Sequence, residues 1–241
     1  MNNTIQELYH RKSVRVFTGE PISKEKKEMI LTAATQAPTA GNQQLYTILD
    51  ITDQGLKETL AETCDHQPFI AEADMVLVFV ADCQKWYEGF QDVGADPRKP
   101  GVGDLMLAVT DASIAAQNAV VAAESLGIGS CYIGDIMENA EIHMDILKLP
   151  EYAFPAVMVV FGYPTKQQQD REKPQRVELS HVVHENTYRN MDGQERQKMW
   201  HSKAGVMSYE EWMKRFCARK YNSDFSKEMS RSVKVYVDKF L

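Results

Sequence analysis

No two of the four cysteines, Cys64, Cys83, Cys131 and Cys217, stand close enough to form a CxxC pair. That spacing argues for free thiols in a reducing, cytoplasmic compartment rather than a disulfide framework. No uninterrupted apolar run approaches the roughly 20 residues a membrane helix needs, so no membrane partner is expected. The opening Met1-Asn2-Asn3-Thr4 has neither a basic nor an apolar stretch, so no signal peptide is expected. Cationic excess is missing as well: the formal charge is −7 and the pI about 5.4. That balance argues against a general nucleic-acid binder while leaving room for a small basic pocket.

Several catalytic signatures are also absent. His184-Glu185-Asn186-Thr187-Tyr188 begins like HExxH but lacks the second histidine, and no other metal-ligand spacing occurs. There is no GxSxG elbow and no Walker A loop. Gly127-Ile128-Gly129 follows a helical pattern and precedes a strand pattern, the reverse of the dinucleotide-binding order. A helix C-cap followed by a tight turn accounts for it.

What remains is an ordinary globular chain of 241 residues, 44% hydrophobic and 25% charged, enough for one substantial core. Residues 3–10 read as a short helix, and 11–17 alternate polar and apolar like an extended segment. Ser23 is a candidate N-cap for a helix to about Gln36, with Met29, Ile30, Ala33, Ala34 and Ala37 as its apolar face. Residues 39–44 are a small polar loop, 45–51 a strand and 55–64 a short helix. Residues 75–81 form a continuous β-rich run, as in a central strand covered on both faces. Residues 85–103, with Trp86, Tyr87, Phe90 and Pro97, look like a mobile insertion. The alanine-rich stretch from Asp104 to Leu126 predicts the longest helix, apolar nearly all round and therefore buried. A short strand over 130–133, a helix over 139–148 and a buried strand over 156–161 follow. Residues 166–173 are loop-like, and two or three weaker helices are expected beyond Asn186, the last with Met229, Val233, Val237 and Phe240 at helical spacing. This pattern gives a mixed sheet with helices, and a tail too poor in apolar residues for its own core. The tail reads as an arm over 190–241 on the main domain or on a second subunit.

One cluster is chemically pointed. Arg11, Lys12, Ser13 and Arg15 bring three cations and a hydroxyl within five residues, and in an extended segment Arg11, Ser13 and Arg15 share a face. Guanidinium forks with a hydroxyl suit a phosphate. By itself the cluster reads more readily as a solvated basic turn, since charge runs are usually surface.

Its context resembles the opening of the FMN-dependent nitroreductase and flavin reductase family. Arg11-Lys12-Ser13-Val14-Arg15-Val16-Phe17 matches R-x-S-x-R-x-F, and Ala37-Pro38-Thr39-Ala40-Gly41-Asn42-Gln43-Gln44 matches the A-P-S/T-x-x-N-x-Q that follows a helix. The resemblance continues through the stretch from Ala123 to Gly134, through Leu147-Lys148-Leu149-Pro150 and through Val183-His184-Glu185-Asn186-Thr187-Tyr188. The last two resemble the branch of the major oxygen-insensitive NADPH nitroreductases.

The resemblance implies an α+β fold: a central, mostly antiparallel sheet flanked by helices, in one domain over 1–241 paired into a homodimer. It implies bound FMN, with NADPH or NADH as co-substrate and small electron-poor aromatics, quinones or free flavins as acceptors, used in ping-pong order. Arg11, Lys12 and Ser13 would bind the FMN phosphate and ribityl chain, and Arg15 the pyrimidine side of the ring. Thr39 would reach the flavin from the partner subunit. Gln67 would bond the ring edge, and Tyr132, Ile133, Gly134 and Asp135 would lie near N5 and O4. Lys173 and Arg176 would complete the phosphate and ring contacts. No catalytic side chain is implied, because the flavin carries the chemistry. Two departures stand out. The family's K-P-R reads Lys173-Pro174-Gln175-Arg176, so Gln175 competes with Arg176 for that place. Asp135 stands where a small residue is usual, either beside the flavin or turned to solvent. The alternatives are a related flavoenzyme on the same scaffold, such as a reductive dehalogenase or dedicated flavin reductase, or a non-catalytic flavin-binding protein. The lids at 85–103 and 195–225 would set that choice, and Lys203, Lys214, Arg215, Arg219 and Lys220 are candidate cations for a nicotinamide 2′-phosphate.

Overall fold

Every residue from Met75 to Asp82 is buried, and the two faces of this strand serve two different cores. Met75, Leu77, Phe79 and Ala81 point into one hydrophobic cluster, Val76, Val78 and Val80 into another. That alternation is the period-2 geometry of a strand covered on both sides. The computed structural model describes all residues, 1–241.

In chain order the elements are α1 (Asn3–His10), α2 (Lys24–Thr35), β1 (Tyr46–Ile51), α3 (Gln54–Thr63), α4 (Phe69–Glu72), β2 (Met75–Asp82), α5 (Gln84–Asp92) and α6 (Val102–Ser125). Then come β3 (Gly129–Ile133), α7 (Ala140–Ile146), β4 (Ala153–Gly162), α8 (Lys166–Asp170), α9 (Gly193–Ala204), α10 (Tyr209–Lys220) and α11 (Asp224–Val237). The strands form one sheet in the order β1-β2-β4-β3, with all three pairings antiparallel. Ser13 adds a parallel bridge to Ser130 at the β3 edge. The expected α+β class and mostly antiparallel sheet are therefore borne out.

α6 and α2 cover one face of the sheet, α3 and α4 the other. Ala108, Ala112, Ala115, Ala116, Ala119 and Ala123 are fully buried, and their small side chains bring the α6 backbone close to β2 and β4. The expectation that α6 is buried all round is corrected: Met106 and Leu107 are exposed, because the single chain covers only one face. By length and composition α6 is also apolar enough to cross a bilayer. A search for uninterrupted apolar runs missed it because Thr110, Asp111, Gln117 and Asn118 break the run.

Local signals explain the ends. Ser23 accepts from Lys26 N at 3.2 Å and caps α2. Gly127, at φ +74, ends α6 with Gly127 N on Glu124 O and Ile128 N on Ala123 O, the Schellman arrangement. Met29 is half exposed, at the margin of the α2 face rather than in it. Residues 84–92, expected inside a mobile insertion, form α5, and Lys166–Asp170 is a short helix rather than a loop.

The chain divides into two compact units, Met1–Glu172 with Glu228–Leu241, and Lys173–Lys227. Within the first, Ser232, Tyr236 and Phe240 are the buried residues of the last helical segment; of the anticipated Met229, Val233, Val237 and Phe240, Phe240 is buried, and Val233 and Val237 are partly buried against the core. Tyr236 packs edge-on to Phe154 at 5.1 Å. This segment also caps α7, whose own N-cap Asn139 is left-handed at φ +47: Glu228 accepts from Asn139 N at 3.2 Å, and Ser232 from Ala140 N at 3.0 Å. Within the second unit, α9 and α10 pack together through Trp200, Trp212 and Phe216.

Candidate active site

The N-terminal basic segment is held along the β3 edge. Val14 N donates to Ser130 O at 2.9 Å, and Val14 itself is buried. A Cβ at Gly129 would lie 2.6 Å from Val14 Cγ2, so glycine is what lets the segment approach. Gly162 does the same for Phe17, where a Cβ would sit 2.6 Å from the ring. With Val14 turned inward, the alternation leaves Arg11, Ser13 and Arg15 on the other side of the segment.

These cations lack anionic partners. None of the chain's ion pairs involves Arg11, Lys12 or Arg15. Arg11 lies over the Tyr132 ring, 5.8 Å from its centroid, and Arg15 over Phe69 at 6.0 Å. Arg11 Nε is buried without a hydrogen-bond partner, as is Ser130 Oγ. A buried guanidinium N–H without an acceptor is costly, and an anionic oxygen would relieve it. Lys12 is differently engaged: its ammonium donates to Gln169 O at 2.6 Å and to Arg171 O. Arg171 Nη2 returns a bond to Ser13 O, and Gln168 Oε1 accepts from Arg15 N at 3.3 Å.

The β3 end contributes Tyr132 and Ile133, and the 3₁₀ turn Gly134–Met137 contributes Gly134 and Asp135. Burial lifts the Tyr132 phenol to about 12, against the pull of Arg11, so it is neutral and donates to Gln117 Oε1 at 3.1 Å. Burial also pushes the Cys131 thiol up, although Arg15, Ser13 and Arg11 all act to lower it. Asp135 is half buried, and its charge helps raise both the Cys64 thiol and the Glu138 carboxyl.

Gln67 sits on a turn of unusual backbone. Asp65 and His66 are consecutive left-handed residues, φ +61 and +51. Gln67 N on Ala61 O (2.8 Å) and Gln67 Nε2 on Cys64 O (2.7 Å) hold that turn. Arg15 over Phe69 brings the basic segment to the same place. The chain thus gathers Arg11, Ser13, Arg15, Gln67 and the 132–135 stretch.

Thr39 lies elsewhere. Its hydroxyl donates to Asp111 and accepts from Gln44 N at 2.7 Å. Asp111, 2% exposed, also accepts from Ala40 N at 3.0 Å and Leu45 N at 3.2 Å, so it organises the whole 39–45 loop. Arg11 borders Val121, ten residues along α6 from Asp111, a rise of about 15 Å. Lys173 and Arg176 belong to the second unit, where Lys173 is half buried and Arg176 exposed. Sequence reasoning passed over Asp111, Gln168, Arg171 and His143. A carboxylate in the alanine-rich run of α6 was a visible signal for Asp111; the others carried none.

A separate cavity of about 300 Å³ lies beneath α5, lined by Trp86, Tyr87, Phe90, Pro97 and Leu107, with the Arg98–Asp104 pair bordering it. Trp86 Nε1 donates to Gln43 O at 2.8 Å and ties this wall to the 39–44 loop.

A family model described as the nitroreductase family matches residues 8–163. The chain is 29% identical to an FMN reductase [NAD(P)H] of Bacillus subtilis over 241 residues, covering 99% of this chain and 92% of that protein. It is 34% identical to an oxygen-insensitive NADPH nitroreductase of Salmonella typhimurium over 192 residues, 80% of this chain and 77% of that one. Among solved structures, the NADPH:FMN oxidoreductase of Vibrio harveyi, complexed with NAD+, superposes with a TM-score of 0.83 at 26% identity, covering 98% of both chains.

Proposed function

The chain belongs to the nitroreductase family, and from that premise we propose that it is an FMN-dependent oxidoreductase passing hydride from NADPH or NADH to flat, electron-poor acceptors. The observation that carries this reading is the pair of guanidiniums, Arg11 and Arg15, left without carboxylate partners beside β3, with Arg11 Nε buried and unsatisfied. What FMN supplies when bound is the two-electron chemistry that side chains lack.

The side chains bind, orient and tune. Arg11 and Ser13 would hold the phosphate tail, with the third donor of Lys12 added. Arg15 would sit near the pyrimidine side, where a fixed cation favours the charge acquired on reduction. Gln67, whose Nε2 is occupied by Cys64 O, has its carbonyl oxygen left to accept from a ring N–H. Tyr132, Ile133, Gly134 and Asp135 would border the opposite ring edge, and Thr39 would arrive from the second copy of a homodimer. Nitroaromatics, quinones and free flavins fit one shallow site in turn with the nicotinamide, hence a ping-pong order. Free buried thiols agree with a cytoplasmic setting.

The test is an absorbance spectrum of the purified protein followed by anaerobic titration with each nicotinamide. A yellow protein bleached by NADPH or NADH and recoloured by a quinone is expected. A colourless preparation that refuses micromolar FMN refutes the reading. Arg15→Ala is expected to weaken FMN retention and slow flavin reduction; full cofactor and full rate in that variant would remove Arg15 from its role.

A further inference from the structure

The two segments assigned to the flavin ring edge, the turn before Gln67 and the turn Gly134–Met137, are joined by one side chain on neither of them. His143, on α7, is fully buried. Its Nδ1 lies 2.8 Å from Ile136 O, in the second segment. Its Nε2 lies 2.8 Å from Thr63 Oγ1, at the end of α3 where the first begins. A carbonyl oxygen only accepts, so Nδ1 carries the proton, and the one proton of the Thr63 hydroxyl is shared between His143 Nε2 at 2.8 Å and Thr59 O at 2.9 Å. Burial lowers the His143 pKa and keeps the ring neutral in that tautomer. Asn139 Nδ2 adds a parallel bond to Thr63 O at 2.8 Å.

We propose that His143 is a positioning residue for the cofactor site, fixing the separation of the Gln67 turn and the Gly134–Asp135 turn through its two ring nitrogens. The connection is short and continuous: Ile136 O, imidazole, Thr63, then Cys64, whose carbonyl receives Gln67 Nε2. Asp65 and His66, both left-handed, lie between Cys64 and Gln67. Two such residues in a row persist only where their surroundings over-determine them. An apolar residue at 143 would fill the space and leave Ile136 O without this donor, and the two turns would keep the Asn139–Thr63 bond but lose the imidazole link. Neither turn makes such a link by itself.

This inference rests on the FMN reading above, so wild-type protein is measured first. FMN affinity is read from flavin fluorescence quenching, and midpoint potential from a dye-equilibrated reductive titration. Thr63→Val removes one of the two bonds at nearly constant volume and is expected to raise the FMN Kd about fivefold, the factor for one net hydrogen bond. His143→Leu removes both, and an increase of about tenfold or more with a moved potential is expected. His143→Asn, whose amide reaches toward Ile136 O, is expected to recover part of the loss. A purely structural role would lower the melting temperature of the apoprotein and leave Kd and potential where they were. Folded variants with Kd within twofold of wild type and an unchanged potential overturn the assignment. Should His143→Leu fail to fold, Thr63→Val decides alone, by the same twofold criterion. A wild type that binds no FMN overturns the reading beneath and this inference with it; a wild type that binds FMN beside indifferent variants overturns this inference only.

Discussion

Glu138 is 4% exposed, yet it is a carboxyl without a cationic partner. Burial, followed by the charges of Asp135, Asp65 and Glu228, lifts its pKa from the ordinary 4.5 to about 7. The raised value means that the folded chain holds this proton more tightly than the unfolded chain. Stability is therefore unaffected by the group below about pH 4.5, falls as pH rises toward 7, and then levels off. At about 1.36 kcal/mol per pH unit, the climb from 4.5 to about 7 is worth at most about 3 kcal/mol. Glu138→Gln keeps the shape and removes the ionisation. It is expected to be near neutral in stability at acid pH and up to about 3 kcal/mol more stable than wild type at pH 8. For a chain of this size that is a melting-temperature gain of about 6 to 12 °C. The measurement is thermal or urea unfolding of both proteins from pH 4.5 to 8, read as a difference curve. Every other titrating group appears in both proteins, so the difference isolates Glu138. Parallel curves, or a Gln variant that loses ground as pH rises, refute the reasoning.

Two further outcomes follow from burial and hydrogen-bond accounting. Asp111→Ala strands the Thr39 hydroxyl and the amides of Ala40 and Leu45; a loss of about 3–5 kcal/mol in urea unfolding is expected, with Asp111→Asn, which keeps one acceptor, between it and wild type. A native-state thiol titration with a disulfide reagent is expected to find one fast cysteine, the exposed Cys217, and all four only after denaturation; burial protects the others and raises their pKa values, Cys83 to about 12, so a second fast thiol in the native protein contradicts the fold.

The elements that repeat a single local rule were legible before the fold. β2 announces itself because an unbroken β-rich run has no place but a doubly covered strand, and Ser23 and Gly127 mark the ends of α2 and α6 through backbone chemistry alone. The basic segment was legible as a cluster of residue types, and its pairing with β3 was not, because the partner lies more than a hundred residues on and the only trace is the absence of a side chain at Gly129. In the last helical segment Phe240 was legible and the fully buried Ser232 and Tyr236 were not, since Ser232 is buried for its hydrogen bond to Ala140 N rather than for apolar area. His143 was invisible for a similar reason: a histidine two residues from Glu141 gives no hint that its ring spans two distant turns. Sequence patterns record which face is apolar; they do not record which carbonyl lacks a donor.

The same feature that closes the sheet also makes its chemistry. β3 is an edge strand, and an open edge invites pairing with other chains. Residues 13–17 cover that end of the sheet through the Ser13–Ser130 and Phe17–Pro164 bridges. Because Val14 must point inward to pack against Gly129, its neighbours Ser13 and Arg15 must point outward, and Arg11 with them. A solvated basic turn would have no reason to be held in this way. Its cations would be free to disperse, and Arg11 Nε would not be buried without a partner. The fold therefore spends backbone hydrogen bonds and two obligatory close approaches, at Gly129 and Gly162, on holding Arg11 and Arg15 outside the chain's own ion pairs. An anionic ligand from outside the chain, such as the FMN phosphate of the proposed function, would supply the negative charge this arrangement is suited to receive.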